Sequence, residues 1–227
     1  MFSVMKNCFS DTPDSGTATV VFYNKCNMKC PYCYNYNNFE NMQMSLEQVK
    51  EILRDNLGIN RKTSETFLKD DWIILSGGEF LSLDMKSIKS IIDEALFSGA
   101  KIGLYTNGSY PDKLKEIIDS IDYVSLDYKD NCVNEYLTIT DKIFENWHKT
   151  LEILKNSKVQ FELKTTCIRQ IHTKEKIQDM KDYISKLVDL NKTKWILQDF
   201  KDYNCLDKSM THENSFVDTK ILKLILN

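Results

Sequence analysis

The amino-acid sequence predicts an α/β fold built on a parallel β-sheet. Short runs rich in β-branched and aromatic residues alternate six times with segments whose apolar residues recur at helical spacing. Parallel neighbours need a crossover connection, and a helix is the usual one. The 227 residues, 42% of them apolar, suffice for one sizeable core. We therefore expect a single domain over residues 1–227, with its core at about 17–200 and a C-terminal tail at 201–227.

The predicted elements follow one another in a regular order. The strands are expected at 17–23, 71–75, 100–105, 122–128, 159–166 and 194–200. The first helix begins with a capping box at Ser45, and the second ends at Gly99. The third begins with Pro111, because a first turn leaves its N–H groups unpaired in any case. Apolar spacing places the fourth helix around 143–154 and the fifth at 173–188, whereas 59–70 is expected to be an exposed connector.

Charge and apolar patterning exclude several classes of partner. The 30 basic and 33 acidic residues are mixed along the chain, for a net charge of -3, so there is no basic footprint for nucleic acid or an anionic membrane. No stretch approaches the roughly 18 consecutive apolar residues of a membrane span, and the N-terminus has no cleavage signal. We expect a cytoplasmic protein whose partners are small molecules or other proteins.

Polar residues that a core does not need follow each predicted strand. After the first strand comes a cysteine-rich loop; the later strands end in SGGE, TNG, the pair Asp127 and Lys129, KTTC and Gln198. Two of only seven glycines stand together in SGGE. Because βα loops of parallel folds converge at the carboxyl edge of the sheet, we expect one ligand pocket there.

Three of the seven cysteines lie within eight positions of the run NKCNMKCPYCYN. They are Cys26, Cys30 and Cys33. In a reducing compartment an odd number of cysteines indicates metal binding or redox chemistry rather than a disulfide framework. An iron–sulfur cubane with three protein ligands leaves one iron open to a further ligand, which would explain a loop that offers three thiols.

Two other interpretations of the loop remain open from spacing alone. A zinc ion would take a fourth ligand from elsewhere, such as His148, His172, His212 or a lone cysteine, and the chain would then be a zinc-binding structural module. The thiols could also be free and structural. A binding module has no need for polar residues at six strand ends, so the rest of the edge favours the cluster.

The spacing C-x-x-x-C-x-x-C, with Tyr32 before the last cysteine and a later Gly-Gly-Glu, resembles the radical S-adenosylmethionine (SAM) superfamily over nearly the whole chain. The resemblance implies a partial (β/α)6 TIM-type barrel, in agreement with the six alternations. It also implies one [4Fe–4S] cluster and SAM as cofactors. In that superfamily the open iron binds SAM, and one-electron reduction yields a 5′-deoxyadenosyl radical that abstracts hydrogen from a substrate.

The resemblance also assigns roles to single residues. The cluster ligands would be Cys26, Cys30 and Cys33. The amino group of SAM would meet Gly77, Gly78 and Glu79, and the adenine would face the backbone of Tyr32. The ribose and methionine side would be lined by Asn107, Ser125, Asp127 and Lys129, with His172 nearby. Read from the residues alone, Asp127 and Lys129 could equally form a simple ion pair, and His172 could be structural.

Several segments are similar to the activating enzymes of glycyl-radical proteins, above all to the short activators of anaerobic ribonucleoside-triphosphate reductase. These segments are the cluster loop, 105–130, FELKTTC and the Gln-x-Phe run at 198–200. The resemblance implies an oxidoreductase that generates a glycyl radical on a partner enzyme under anaerobic conditions. Flavodoxin or ferredoxin would donate the electron.

Two positions depart from the activator pattern. Tyr34 stands where activators commonly have histidine, and Phe80 where they commonly have proline. Neither position is expected to bind a cofactor, but both leave the substrate open. The alternatives are a peptide maturase, which usually carries a cysteine-rich auxiliary domain that this chain lacks, and a small-molecule enzyme of the deazaguanine synthase type.

Overall fold

A seven-stranded β-sheet forms the centre of the computed structural model, which describes residues 1–9, 12–14, 16–36, 43–55 and 70–224. The strands lie in the sheet in the order in which they occur in the chain. The first pair is antiparallel, and every later pair is parallel. The strands are β1 (Phe2–Cys8), β2 (Ala18–Tyr23), β3 (Trp72–Gly77), β4 (Lys101–Thr106), β5 (Tyr123–Asp127), β6 (Gln160–Cys167) and β7 (Trp195–Asp199).

Among the described residues, five α-helices connect the parallel strands in the predicted alternation, and two short ones follow β7. They are α1 (Leu46–Asp55), α2 (Met85–Ser98), α3 (Pro111–Ile117), α4 (Asp141–Lys155), α5 (Lys174–Ile184), α6 (His212–Ser215) and α7 (Thr219–Lys223). Sequential parallel strands joined by helices are the arrangement of a (β/α) barrel, but this sheet does not close on itself. The predicted partial barrel is confirmed. Among the described residues, no helix has both the length and the apolar character needed to cross a bilayer.

The local signals in the sequence occur where they were expected. Six predicted strands correspond to β2–β7, with ends that agree within two residues. Ser45 and Gln48 form the capping box, with N–H to side-chain distances of 2.8 and 3.2 Å. Gly99 ends α2 with a left-handed φ of 70°, and Pro111 is the first residue of α3.

Three features differ from the sequence prediction. β1 was missed: Phe2 is buried in the main core, outside the predicted limits of 17–200. α5 ends at Ile184 and not at 188, because the chain turns there. The C-terminal segment is also part of the core, since Leu222 on α7 packs into it. Of the expected connector at 59–70, all but the last residue lies outside the described residues.

The two faces of the sheet are covered differently. The outer face packs against the helices, through residues such as Leu75 and Leu104 on the strands and Ile88 and Leu151 on α2 and α4. On the inner face a smaller apolar cluster contains strand residues only, Trp72 among them. Among residues 1–9, 12–14, 16–36, 43–55 and 70–224, no helix residue packs into this inner cluster.

Candidate active site at the carboxyl ends of the strands

The cysteine loop, residues 24–36, starts at the end of β2 and is held there by the loop that follows β3. The N–H of Gly78 donates to the carbonyl of Tyr23 at 2.7 Å. The N–H of Glu79 donates to the carbonyl of Lys25, also at 2.7 Å. The Gly-Gly-Glu segment therefore supports the cysteine loop from one side through its backbone.

The C-terminal segment holds the other side of the cysteine loop. The N–H of Leu206 donates to the carbonyl of Cys33 at 3.0 Å, and that of Asp207 donates to the carbonyl of Pro31 at 2.9 Å. The region expected to be a tail therefore positions one of the three cysteines directly.

Gly77 allows β2 and β3 to approach closely below the loop. Its φ is 113°, and a Cβ atom there would lie 2.2 Å from the nitrogen and 2.4 Å from the oxygen of Tyr23. Its carbonyl accepts from the side chain of Asn35 at 3.3 Å. Glycine is thus required at this position for backbone geometry, whatever it contacts in a ligand.

The sulfur atoms lie among backbone and amide groups. Cys26 Sγ accepts from the N–H of Met28 at 3.4 Å and from Asn107 Nδ2 at 3.8 Å. Burial raises the pKa of Cys26 to about 12. Cys30 is buried, its thiol donates to the carbonyl of Leu137 at 3.7 Å, and burial raises its pKa as well. Both thiols are therefore protonated until a metal displaces the proton.

The carboxylate of Glu79 is enclosed by protein groups. It accepts from the hydroxyl of Thr106 at 2.9 and 3.1 Å, from the N–H of Asn107 at 2.7 Å and from the N–H of Leu81 at 3.1 Å. Burial raises the pKa of Glu79 to about 7, against the opposing effect of these hydrogen bonds. The side chain of Glu79 therefore ties the end of β3 to the end of β4.

Asn107 connects the end of β4 to the cysteine loop. Besides Cys26, its Nδ2 group donates to Asn27 Oδ1 at 3.0 Å. Asn27 in turn donates to the hydroxyl of Ser109 at 2.9 Å. Asn27, Thr106 and Ser109 were not among the predicted site residues, although Asn27 lies in the cysteine loop and Thr106 in the run TNG, because the motif assigns no role to these two positions.

Asp127 and Lys129 form a close ion pair at the end of β5, with 2.7 Å between carboxylate and ammonium. The ammonium also lies 5.7 Å from the centre of the Tyr32 ring, within the cysteine loop. Burial by itself would lower the pKa of Lys129, but Asp127, Tyr32 and Cys30 raise it well above its ordinary value. Lys129 therefore places a permanent positive charge beside the cysteine loop.

Two other predicted site residues are occupied by protein contacts. Ser125, two residues below the end of β5, donates to Glu162 at 3.1 Å. His172 is buried; its Nδ1 accepts from the N–H of Ile168 at 3.0 Å, and its Nε2 donates to the carbonyl of Lys129 at 3.1 Å. The histidine thus supports the backbone of Lys129 from behind, and a direct contact with a cofactor stays a prediction.

The other histidines considered as zinc ligands lie elsewhere. His148 contacts the carbonyl of Phe144 at 2.8 Å and the hydroxyl of Tyr183 at 2.7 Å, between α4 and α5. The ring of His212 stacks on Phe216 in the C-terminal segment. Among the described residues, no three side chains of His, Cys, Asp or Glu converge on one metal ion.

A small cavity lies between the cysteine loop, the ends of β4 and β5, and α4. Both polar and apolar side chains line it. Its lining consists of Met28, Asn107, Asp127, Lys129, Asp130, Ile139, Ile143, Phe144 and Trp147. A pocket is therefore present at the edge where the sequence predicts one.

A family model described as Radical SAM superfamily matches residues 20–187, which include the loop, the cavity and all but two of the strands. The chain belongs to the radical SAM superfamily. A relative from Methanocaldococcus jannaschii, provisionally named a glycyl-radical enzyme activating enzyme, is 31% identical over 186 residues. That match covers 75% of this chain and 69% of the relative.

Two solved radical SAM enzymes share the fold. Coproporphyrinogen III oxidase from Escherichia coli has 12% sequence identity and a TM-score of 0.57, with 90% of this chain and 48% of that chain covered. The methyltransferase TsrM from Kitasatospora setae has 12% identity and a TM-score of 0.52, with 83% and 38% covered. The chain thus spans about half or less of the length of these two enzymes.

Radical SAM enzymes use a [4Fe–4S] cluster and SAM, and the chemistry of the donor set fits both. Three thiols on one loop suit a cubane, in which each thiolate binds its own iron atom and no convergence on a single ion is needed. Amide and backbone N–H groups that point at a sulfur, as at Cys26, also stabilise a thiolate. The cavity lining contains an ammonium (Lys129), two carboxylates (Asp127 and Asp130) and an amide (Asn107), which are groups that can bind the polar parts of SAM.

The two departures from the activator pattern lie away from the cavity lining. Phe80 is completely buried and packs in the core beneath the Gly-Gly-Glu segment. Tyr34 is 44% exposed, with its ring edge-on to Tyr203 at 6.5 Å. Neither Phe80 nor Tyr34 is among the residues that line the cavity.

Proposed function

We propose that this radical SAM enzyme generates a glycyl radical on a partner enzyme, an anaerobic ribonucleoside-triphosphate reductase. The observation that carries the proposal is the similarity to the Methanocaldococcus jannaschii protein, whose name specifies glycyl-radical activation and of which 69% is covered. The segments at 105–130 and 198–200, which resemble the activators of this reductase, supply the finer assignment.

In this proposal Cys26, Cys30 and Cys33 hold the cluster, which when bound supplies the electron that cleaves the sulfonium of SAM. Flavodoxin or ferredoxin would provide that electron. Lys129, held by Asp127 and His172, keeps a positive charge in the cavity lining for the carboxylate of SAM. The polar lining residues would orient SAM, while apolar ones such as Trp147 would limit the access of water.

An open barrel supports a protein as the substrate. Within the part of the chain that the structure describes, no helix residue joins the apolar cluster on the inner face of the sheet, so a loop of a partner could approach the cavity from that side. A partner that fills this opening would itself exclude water from the reaction.

The first test is the release of 5′-deoxyadenosine by the anaerobically reconstituted protein with SAM and dithionite. Cys30→Ala removes one of the three proposed ligands, so we expect loss of both the bound iron and the product. The matched control is Cys132→Ala, which removes an exposed thiol near Asp130 and Lys176 and should leave both unchanged. Loss of iron in the control would mean that the ligands are wrongly assigned.

The second test adds the partner and records the electron paramagnetic resonance spectrum of a glycyl radical. A glycyl signal that requires wild-type enzyme, SAM and reductant supports the proposal. Release of 5′-deoxyadenosine with no glycyl signal on the reductase would instead leave the peptide maturase or the small-molecule enzyme as the function.

A further inference from the structure

A closed ring of hydrogen bonds lies beside Cys26, between the cysteine loop and the end of β4. Asn107 Nδ2 donates to Asn27 Oδ1 at 3.0 Å, and Asn27 Nδ2 donates to the hydroxyl of Ser109 at 2.9 Å. The N–H of Ser109 closes the ring by donating to Asn107 Oδ1 at 2.9 Å. Asn107 and Ser109 are both buried. The ring therefore joins the residue that follows Cys26 to the loop that follows β4.

The ring fixes which end of the Asn107 amide faces Cys26. A backbone N–H can only donate, so the atom of Asn107 that faces the N–H of Ser109 must be the oxygen. The Nδ2 group therefore points the other way, toward the cysteine loop. Of its two hydrogens, one is used by Asn27, and the other is directed at Cys26 Sγ, 3.8 Å from the nitrogen.

Further contacts hold the backbone around this amide. The N–H of Asn107 donates to the carboxylate of Glu79 at 2.7 Å, and the side chain of Asn146 on α4 donates to the carbonyl of Ser109 at 2.8 Å. The amide is thus positioned by the protein alone. Because both Nδ2 hydrogens have acceptors, a donation from Asn107 to SAM would break one of these two bonds.

A donor aimed at a ligand sulfur affects an iron–sulfur cluster in a definite direction. Hydrogen bonds to the sulfurs are among the features that set the reduction potential of such clusters. Reduction places additional negative charge on the cluster and its sulfur ligands. Since hydrogen bonds strengthen with the charge of the acceptor, an N–H donor stabilises the reduced state more than the oxidised one.

We propose that Asn107 is a positioning residue that acts on the cluster through Cys26. Its amide donates to the sulfur of Cys26 and so raises the reduction potential, which makes the cluster easier to reduce. The role of Asn107 is thereby assigned to the ligand sulfur and not to the ribose and methionine side of SAM. This inference rests on the part of the proposed function in which Cys26 holds the cluster, and it is independent of the partner enzyme.

The test is a redox titration of the anaerobically reconstituted protein without SAM, followed by electron paramagnetic resonance. Asn107→Leu replaces the amide by an apolar group of nearly the same size. The difference between a hydrogen bond to a charged acceptor and one to a neutral acceptor corresponds to about a tenfold change in an equilibrium constant. We therefore expect the midpoint potential to fall by about 59 mV, the one-electron equivalent of tenfold.

The matched control is Asn146→Leu. It makes the same substitution at an amide that bonds to the carbonyl of Ser109 and not to a sulfur, so the potential should stay unchanged. Asn107→Ser is a second variant in case leucine disturbs the loop. Its hydroxyl can still accept from the N–H of Ser109, as serine does in such turns, but it is too short to reach both Asn27 and Cys26. The same fall in potential is expected.

Other outcomes overturn the inference. An unchanged potential in both Asn107 variants, with a higher Kd for SAM, would assign the amide to SAM. An equal fall in Asn146→Leu would mean that any disturbance of this loop shifts the potential. Loss of iron from both Asn107 variants, when urea unfolding shows that they fold, would mean that Asn107 is needed to hold the cluster and does not tune it.

The proposed function fails in different ways. If Cys26→Ala retains the full iron content, the ligands are wrongly assigned, and the inference fails with them. If the predicted shift in potential appears but no glycyl radical forms on the reductase, the result supports the inference, and only the proposed partner is wrong.

Discussion

At the scale of single residues, some motif residues of the site also stabilise the fold, which their side-chain chemistry alone does not indicate. Gly77 and Glu79 belong to a motif expected to contact SAM, but both also have structural roles in the described part of the chain. Gly77 lets two strands approach, and Glu79 joins two strand ends. Substitutions at these positions should therefore change stability even in the absence of any cofactor.

Gly77→Ala should destabilise the cluster-free protein strongly. The new Cβ would lie 2.2 Å from a backbone nitrogen, and alanine disfavours a φ of 113°, so we expect a loss on the order of 3 kcal/mol. Gly103→Ala is the control: its Cβ would meet only the flexible end of Ile74, for a loss on the order of 1 kcal/mol. Urea unfolding at one pH compares them, and equal losses would contradict the argument.

Glu79→Gln should remove a pH dependence from the stability of the cluster-free protein. Burial raises the pKa of Glu79 from 4.5 to about 7 in the folded state, so the folded protein holds this proton more tightly than the unfolded chain. The contribution is fully present below pH 4.5 and is lost as the pH rises to about 7. The variant should therefore gain stability relative to wild type between pH 5 and pH 8. A difference that is constant over this range would refute the raised pKa.

At the scale of elements, the sheet has an antiparallel edge strand that the sequence did not reveal. The run FSVMKNC is short and partly polar, and its apolar residues do not alternate regularly, so periodicity alone did not identify β1 although the turn-forming run SDTPDSG follows it. Its pairing with β2 places the ring of Phe2 at 5.3 Å from that of Tyr23, just below the start of the cysteine loop. The strand thus covers the edge of β2 and supports the residue from which the loop begins.

Alanine substitutions at a buried and at an exposed residue of β1 test whether the strand stabilises the protein through the packing of Phe2. Phe2 is 4% exposed, so Phe2→Ala should cost about 3 kcal/mol through lost contacts and a cavity. Met5, in the same strand, is 55% exposed, and Met5→Ala should change stability by less than about 0.5 kcal/mol. Unfolding in urea measures both, and a large effect at Met5 would argue that β1 does not pack as described.

At the scale of the whole molecule, the sequence predicts the architecture better than the site. Alternating strands and helices leave a periodic pattern of apolar residues, and capping signals such as Gly99 and Pro111 mark the helix ends. The supports of the cysteine loop leave no such pattern. They are backbone N–H groups of Leu206, Asp207 and Gly78, which any residue except proline would supply.

Among the predicted site residues, the sequence likewise indicates which residues come together but not the contacts that each one makes. Cys26, Asn107, Asp127 and Lys129 are brought together because motif residues at strand ends share one edge. Ser125 lies two residues before the end of β5 and donates a hydrogen bond to Glu162. Its distance from the sheet edge depends on strand register, which a sequence motif does not specify. The sequence places Thr106 at the same edge, within the run TNG, but its hydrogen bond to Glu79 depends on the loop conformation and could not be predicted.

The hydrogen bond between Leu206 and Cys33 joins two segments that are far apart along the chain. The cysteines are synthesised early, at positions 26 to 33, but the backbone groups that fix their loop come from residues 206 and 207. During synthesis at a ribosome, about 170 further residues must be added before the loop can be held in place. We therefore expect cluster insertion to follow, and not to guide, the folding of this chain.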